Sequence, residues 1–232
     1  MDTERFKYSR TMNLPWSGSD SSDDVWWKDC KNFEGQEIVV TEKMDGECTT
    51  IYHDSYVHAR SVDTSHHPSR THVKKLAGEI GYQIPSGYRV CGENLYAYHS
   101  IFYTELPAHF LAFGIYDKNN ICLSWSDVEE LCQLLGIFTV PVIYKGIWDE
   151  KLIRDLWQGK GTYPTYETSV LNPKFPEDFV LCESEGYVVR LAAEFDYKDF
   201  SKSCAKYVRE NHVKTSTHWM KQKVVPNLLK SS

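Results

Sequence analysis

A lysine set among acids and ahead of a glycine, in the run Glu42-Lys43-Met44-Asp45-Gly46-Glu47, is the part of this 232-residue chain best suited to covalent chemistry. A lysine amine is a nucleophile only after it loses a proton, and enclosure or a neighbouring cation can lower its pKa enough to release one. Glu42, Asp45 and Glu47 pull the other way, because negative charge stabilises the ammonium. Taken alone, Lys43-Met44-Asp45-Gly46 is equally readable as a hairpin with a solvated lysine.

The flanking segments must position Lys43. Ile38 to Thr41 is apolar and β-branched and reads as a strand, Cys48 to Tyr52 reads as its partner, and Asp45-Gly46 reads as the turn between them. Tyr56 to Arg60 alternates in character and leads into a polar loop, Ser61 to Thr71. Val73, Leu76, Ala77 and Ile80 have the spacing of an amphipathic helix that Gly81 can end. Tyr88 to Glu93 and Phe110 to Tyr116 read as strands, the second apolar enough to be buried on both faces. Ser126 and Glu129 form a capping-box pattern before a helix that Gly136 closes, and a second helix is expected from about Asp149 to Gln158. Gly159 to Pro176 reads as a loop, Gly186 to Leu191 and Ala205 to Val208 as strands, and Thr217 to Leu229 as a tail helix or arm. Ser17 to Asp24 reads as a polar, mobile loop. Strands and helices interspersed without a regular βαβ repeat indicate an α+β fold.

Composition limits the classes of function. Hydrophobic residues make up 41% of the chain, ample for a core, and no apolar run reaches the length of a membrane span. The N-terminus has neither the basic nor the apolar region of a signal peptide, so the chain is expected to be intracellular, cytoplasmic or nuclear, unsecreted and without a membrane partner. Seven cysteines spaced singly offer no paired zinc ligands and read as reduced thiols. A net charge of −6 argues against coating nucleic acid through a general positive field, yet permits a local basic cleft.

Further segments follow Lys43 in a telling order: Ala59-Arg60-Ser61, Cys91-Gly92-Glu93-Asn94, Phe110 to Asp117, Ser184-Glu185-Gly186-Tyr187-Val188-Val189-Arg190, and Ala205-Lys206-Tyr207-Val208-Arg209. With the N-terminal segment Lys7 to Ser17, this succession resembles the covalent nucleotidyltransferase superfamily of RNA ligases, DNA ligases and capping enzymes. Within it, the chain looks most like ATP-dependent RNA ligases of the phage RNA ligase 2 type. The resemblance implies one nucleotidyltransferase domain over residues 1–232, with antiparallel sheets around a nucleotide pocket. A short C-terminal arm at about 210–232 stands where many relatives carry a separate domain, which leaves nick recognition and duplex preference open.

The resemblance also implies roles. Lys43 becomes the nucleophile that forms a lysyl-AMP phosphoramide from ATP, and Lys206 places a cation on the α-phosphate. The family usually has two closely spaced lysines there; this chain has Cys204-Ala205-Lys206-Tyr207-Val208-Arg209, so Arg209 or Lys202 is the candidate second cation. Glu185 and Glu93 would serve a Mg2+ or Mn2+ ion, with Glu93 also suited to the ribose. Phe113 would stack on the adenine, Glu42 accept from the purine amino group, and Arg60 contact ribose or phosphate. Arg10 and Arg70, with Arg209, are the candidate contacts to RNA ends bearing a 5′-phosphate and a 3′-hydroxyl. His66 and His67 beside Arg70 read as polar loop residues rather than metal ligands. The alternatives are a GTP-dependent capping-type or DNA-ligase nucleotidyltransferase, or a protein that binds nucleic-acid ends without sealing them.

Overall fold

The computed structural model describes residues 4–19, 24–167, 180–212 and 223–231. Its strands are β1 (Met12–Asn13), β2 (Glu37–Glu42), β3 (Glu47–Tyr52), β4 (Val57–Ala59), β5 (Arg89–Asn94), β6 (Phe102–Tyr103), β7 (Phe110–Tyr116) and β8 (Ile121–Cys122). They continue with β9 (Phe138–Thr139), β10 (Val142–Ile147), β11 (Thr165–Glu167), β12 (Val180–Leu181), β13 (Gly186–Leu191), β14 (Phe195–Asp196) and β15 (Cys204–Val208). The α-helices are α1 (Thr71–Ile80), α2 (Trp125–Leu134), α3 (Glu150–Asp155) and α4 (Phe200–Ser203). One sheet runs β1-β15-β13-β2-β10, a second runs β14-β8-β7-β5-β3-β4 with β9 beside β7, and β12-β11-β6 make a small third. Pairing is antiparallel except at β1/β15 and β7/β9, which agrees with the expected α+β class.

β2 is buried on both faces, and its alternation assigns each face to a different core. Ile38 and Val40 pack with Leu14, Phe33, Tyr187 and Val189, while Val39 packs with Met44, Val90 and Leu111 under α1 and α2. A third cluster, with Cys91, Tyr116, Cys122, Phe200 and Cys204, lies below the site described next. All seven cysteines are free thiols. Among the described residues no helix is long and apolar enough to cross a membrane.

The hairpin expected across Asp45-Gly46 does not form. β2 pairs with β10 and β13, whereas β3 pairs with β4 and β5, so the Lys43 turn carries the chain from one sheet into the other. Double-sided burial of β2 outweighs the local turn signal. Gly46 fits the crossing because a Cβ there would stand 2.7 Å from the Asn94 carbonyl oxygen.

Several boundaries also move. α1 lies where its spacing predicts, but Gly81 continues into a 3-10 turn with φ −54° instead of ending the helix in a left-handed cap. α2 is capped by Ser124, whose hydroxyl accepts from the Asp127 N–H, two residues before the expected Ser126. Gly136, at φ +66°, does turn the chain after that helix. α3 stops at Asp155, shorter than expected, with Asp149 as its N-cap. The expected loop from Gly159 contains β11, and residues 168–179 lie outside the described ones. Of the expected tail helix or arm, residues 223–229 take the extended arm form, bridging Ala97 to Pro226 and Leu106 to Leu229; residues 217–222 lie outside the described ones, as do 20–23 of the expected mobile loop. Asn227 explains the extended path, because its side chain bonds Leu95 O and Tyr103 N while its backbone N–H bonds Tyr96 O.

Candidate active site

Between the two large sheets lies a cavity of about 440 Å3 lined by Arg10, Glu42, Lys43, Arg60, Glu93, Phe113 and Lys206. These seven expected site residues come from distant parts of the chain and meet because β2 and β3 belong to different sheets. Lys43 Nζ stands 2.6 Å from Glu185 Oε1, which brings in an eighth. Both backbones are fixed nearby: Lys43 N–H donates to Gly186 O, and Arg209 N–H donates to Glu185 O.

Burial alone would lower the pKa of Lys43, but the charges of Glu185, then Glu93 and Asp45, outweigh it and hold the ammonium well above its ordinary value. Asp45 is more than a turn residue. Its Oδ2 accepts from Ser100 N at 2.7 Å and Ile101 N at 2.6 Å, its backbone N–H donates to Tyr103 Oη at 3.0 Å, and Oδ1 faces His212 Nε2 at 3.3 Å. Burial opposes ionisation of Asp45, yet the bond and charge of His212, with the Ser100 N–H, hold the carboxyl well below the usual range. Glu93 lacks comparable support, and burial pushes it up to about 8 against the pull of Lys43.

The purine end has its own geometry. Glu42 is 3% exposed; one oxygen accepts from Thr162 N–H at 2.7 Å, while Oε1 is buried without a hydrogen-bond partner. Burial raises its pKa, opposed by the Thr162 N–H. Phe113 is half-buried and meets Tyr8 edge-on at 5.1 Å between ring centroids, so Tyr8 shares the aromatic wall. Tyr8 N–H donates to the Arg60 carbonyl at 3.1 Å, tying the N-terminal segment to the cavity rim.

Lys206 bonds Asp24 Oδ1 at 3.0 Å, so its ammonium is already paired. Arg209 does not line this cavity; its guanidinium donates to the carbonyls of Ser184, Glu210 and Asn211 and supports the Glu185 segment. Lys202, on α4, pairs with Asp199 just ahead of that helix, outside the cavity lining. Arg70 is 4% exposed and grips Glu47 with Nε at 2.7 Å and with its terminal nitrogen, so it braces β3 rather than facing the cavity. His67 caps the short turn Pro68–Arg70, in keeping with the polar-loop reading.

A family model described as RNA ligase matches residues 36–208. The chain belongs to the RNA ligase family. No curated protein matches this RNA ligase family member by sequence. Among solved structures it is similar to Naegleria gruberi RNA ligase. One mutant solved with ATP and Mn is 16% identical, with a TM-score of 0.47, covering 78% of this chain and 52% of that one. The form with PPi is 17% identical with a TM-score of 0.49, covering 78% and 51%. This RNA ligase family chain thus spans about half the length of the Naegleria chains it matches.

Sequence reasoning misses Asp24, Tyr103 and His212 as site residues. His212 lies beyond the last matched segment, with no spacing that links it to Asp45. Asp24 belongs to a stretch that composition marks only as polar loop.

Proposed function

We propose that this RNA ligase family member is an ATP-dependent RNA ligase that uses Lys43 as its nucleophile. In the first step the Lys43 ammonium gives up a proton to solvent, the free amine bonds to the α-phosphorus of ATP, the bond between the α-phosphorus and the bridging oxygen breaks, and pyrophosphate leaves. In the second, an oxygen of an RNA 5′-phosphate displaces Lys43 and takes the AMP. In the third, a 3′-hydroxyl attacks that 5′-phosphate, AMP leaves and the strand is sealed. The observation that carries this reading is Lys43 lining a cavity with Glu42, Arg60, Glu93, Phe113 and Lys206.

Each residue has a task within that reading. Glu42 Oε1, buried and unpartnered, accepts from the exocyclic amine of adenine, which gives a reason for ATP over GTP. Phe113, walled by Tyr8, offers the base an aromatic surface, and Glu93 receives a ribose hydroxyl. Lys206 exchanges Asp24 for an α-phosphate oxygen, and Arg60 with Arg10 meets the incoming phosphate. The carboxylates near Lys43 fit a divalent ion such as Mg2+ or Mn2+, because Asp45 and Glu185 converge with His212 within 4.8 Å. When bound, such an ion offsets the charge that develops on the reacting phosphates.

The test is joining of RNA strands with a 5′-phosphate and a 3′-hydroxyl, on nicked duplex and on single strands, with ATP and either ion. Sealed product that requires the 5′-phosphate and is absent with Lys43→Ala supports ligation. Labelled protein from GTP but not ATP points to capping chemistry, and end binding without any adduct points to a non-catalytic binder.

A further inference from the structure

We propose that Trp26 is a stacking platform for the first base of the RNA strand that carries the 5′-phosphate, set at the outer end of a row of residues that lines the cavity. Its place relative to the reacting phosphates rests on the nucleotidyl-transfer reading; its contact with a base is measured without any sealed product.

The register of the first sheet fixes where this indole points. Trp26 forms a parallel bridge with Asn13, Asn13 pairs with Lys206, Lys206 with Val188 and Val188 with Thr41. Side chains at laterally paired positions stand on one face of a sheet, and Lys206, Val188 and Thr41 all line the cavity. The adjacent row, Met12, Ala205, Val189 and Val40, packs into the opposite core. Trp27 is buried in that same core against Phe33, so alternation along the chain sends Trp26 to the cavity face. Asp24, two residues before Trp26 and on the same face, agrees by reaching Lys206 Nζ at 3.0 Å.

The row also orders the parts of the reaction. Thr41 precedes Glu42, the purine contact; Lys206 stands at the α-phosphate; Trp26 lies beyond Lys206, on the side away from the purine. Neighbouring strands are about 4.8 Å apart, which puts the backbones of Trp26 and Lys206 about 10 Å from each other. In an adenylylated strand the α-phosphate is joined to the RNA 5′-phosphate, and the first ribose and its base come next, in the direction of Trp26. The indole is free to receive that base: Trp26 is 40% exposed and has no ring or hydrogen-bond partner among the described residues. Other tryptophans are engaged, with Trp16 Nε1 donating to Tyr187 Oη, Trp27 Nε1 to Ser201 O and Trp157 Nε1 to Ser184 Oγ. A bare aromatic beside cations is the combination that holds a single strand whatever its sequence, because every base has a π-face. Arg10 in the cavity lining and the exposed Lys28 supply the charge.

The experiment is equilibrium binding of a synthetic 5′-adenylylated RNA to the whole chain, read by fluorescence anisotropy, with the unsubstituted protein, Trp26→Ala and Trp26→Phe. Trp26→Ala should lose about 5- to 100-fold in affinity, the range that one stacked base is worth, and Trp26→Phe should recover most of it. Against a strand whose first nucleotide is abasic the same substitution should cost nothing, an outcome that a merely structural role for the indole would not give. A strand with 2-aminopurine as its first base reports on the unsubstituted chain directly, since stacking quenches its fluorescence. Quenching is expected on binding and should disappear in Trp26→Ala. Equal affinities in all the proteins, a loss that persists with the abasic strand, or quenching that survives Trp26→Ala overturns the inference. The ligase reading is separated by a parallel adduct assay with labelled ATP: Trp26-dependent binding without a Lys43 adduct leaves the platform standing and sinks the ligase reading. An adduct without Trp26-dependent binding does the reverse.

Discussion

Lys43 Nζ and Glu185 Oε1 stand 2.6 Å apart, an ion pair between the expected nucleophile and the carboxylate that opens β13. The pair ties the resting site together and holds the amine in its unreactive, protonated form. Glu185→Gln removes the largest of the charges that raise the Lys43 pKa. In metal-free buffer at fixed pH, Lys43 of that variant should react faster with a small amine-modifying reagent, by about tenfold for each pKa unit recovered. Residue-resolved mass spectrometry checks this, and equal rates in both proteins would show that Glu185 does not control the amine.

A second prediction concerns Asp24, which occupies the ammonium of Lys206 at 3.0 Å. Nucleotide phosphates must compete with that carboxylate. Asp24→Asn should tighten ATP binding by about 3- to 10-fold, the equivalent of roughly 1 kcal/mol. Combining it with Lys206→Ala should erase the gain. Calorimetry on the single and double variants reads both, and unchanged affinity in Asp24→Asn contradicts the competition.

The strand reading carries far along this chain because alternation and β-branching are local properties. β7 falls on its expected residues, and β2, β3, β5, β13 and β15 lie within a residue or two of theirs. Partner choice is not local. Asp45-Gly46 marks a reversal, but β2 finds its neighbours in β10 and β13, about 100 and 150 residues away in sequence. The site divides in the same way. Lys43, Glu42, Glu93, Phe113 and Lys206 are marked by ordered motifs and meet at one cavity. Arg70 and Arg209 are marked as basic, while the fold turns them to Glu47 and to backbone carbonyls. His212 reaches Asp45 across 167 positions, a contact that only the three-dimensional path creates.

Glu93 predicts a pH dependence of stability. Its folded-state pKa of about 8 lies above its ordinary value of 4.5, so between those values the folded protein holds a proton that the unfolded chain releases. This contribution is fully present below pH 4.5 and is lost as pH rises through about 8. Glu93→Gln, neutral at every pH, should melt with a flatter dependence over that window. Thermal melts of both proteins across it test the sign; parallel curves would mean that Glu93 ionises normally.

Gly186 supports the site through backbone shape. It has φ +151°, and a Cβ there would lie 2.1 Å from the Tyr207 carbonyl oxygen across the β13–β15 pairing. Gly186→Ala must push β15 away and shift Glu185 beside it. A loss of about 2 kcal/mol or more is expected in denaturant unfolding, and wild-type stability would contradict the close approach.

As the proposed nucleophile, Lys43 takes AMP from ATP. The direct measurement is incubation with α-labelled ATP and Mn2+ or Mg2+, then denaturing electrophoresis and peptide mapping, with Lys43→Ala and labelled GTP alongside. Label from ATP is expected on the peptide that contains Lys43, and none in the variant. Absence of label under either ion, or label on a different residue, contradicts it.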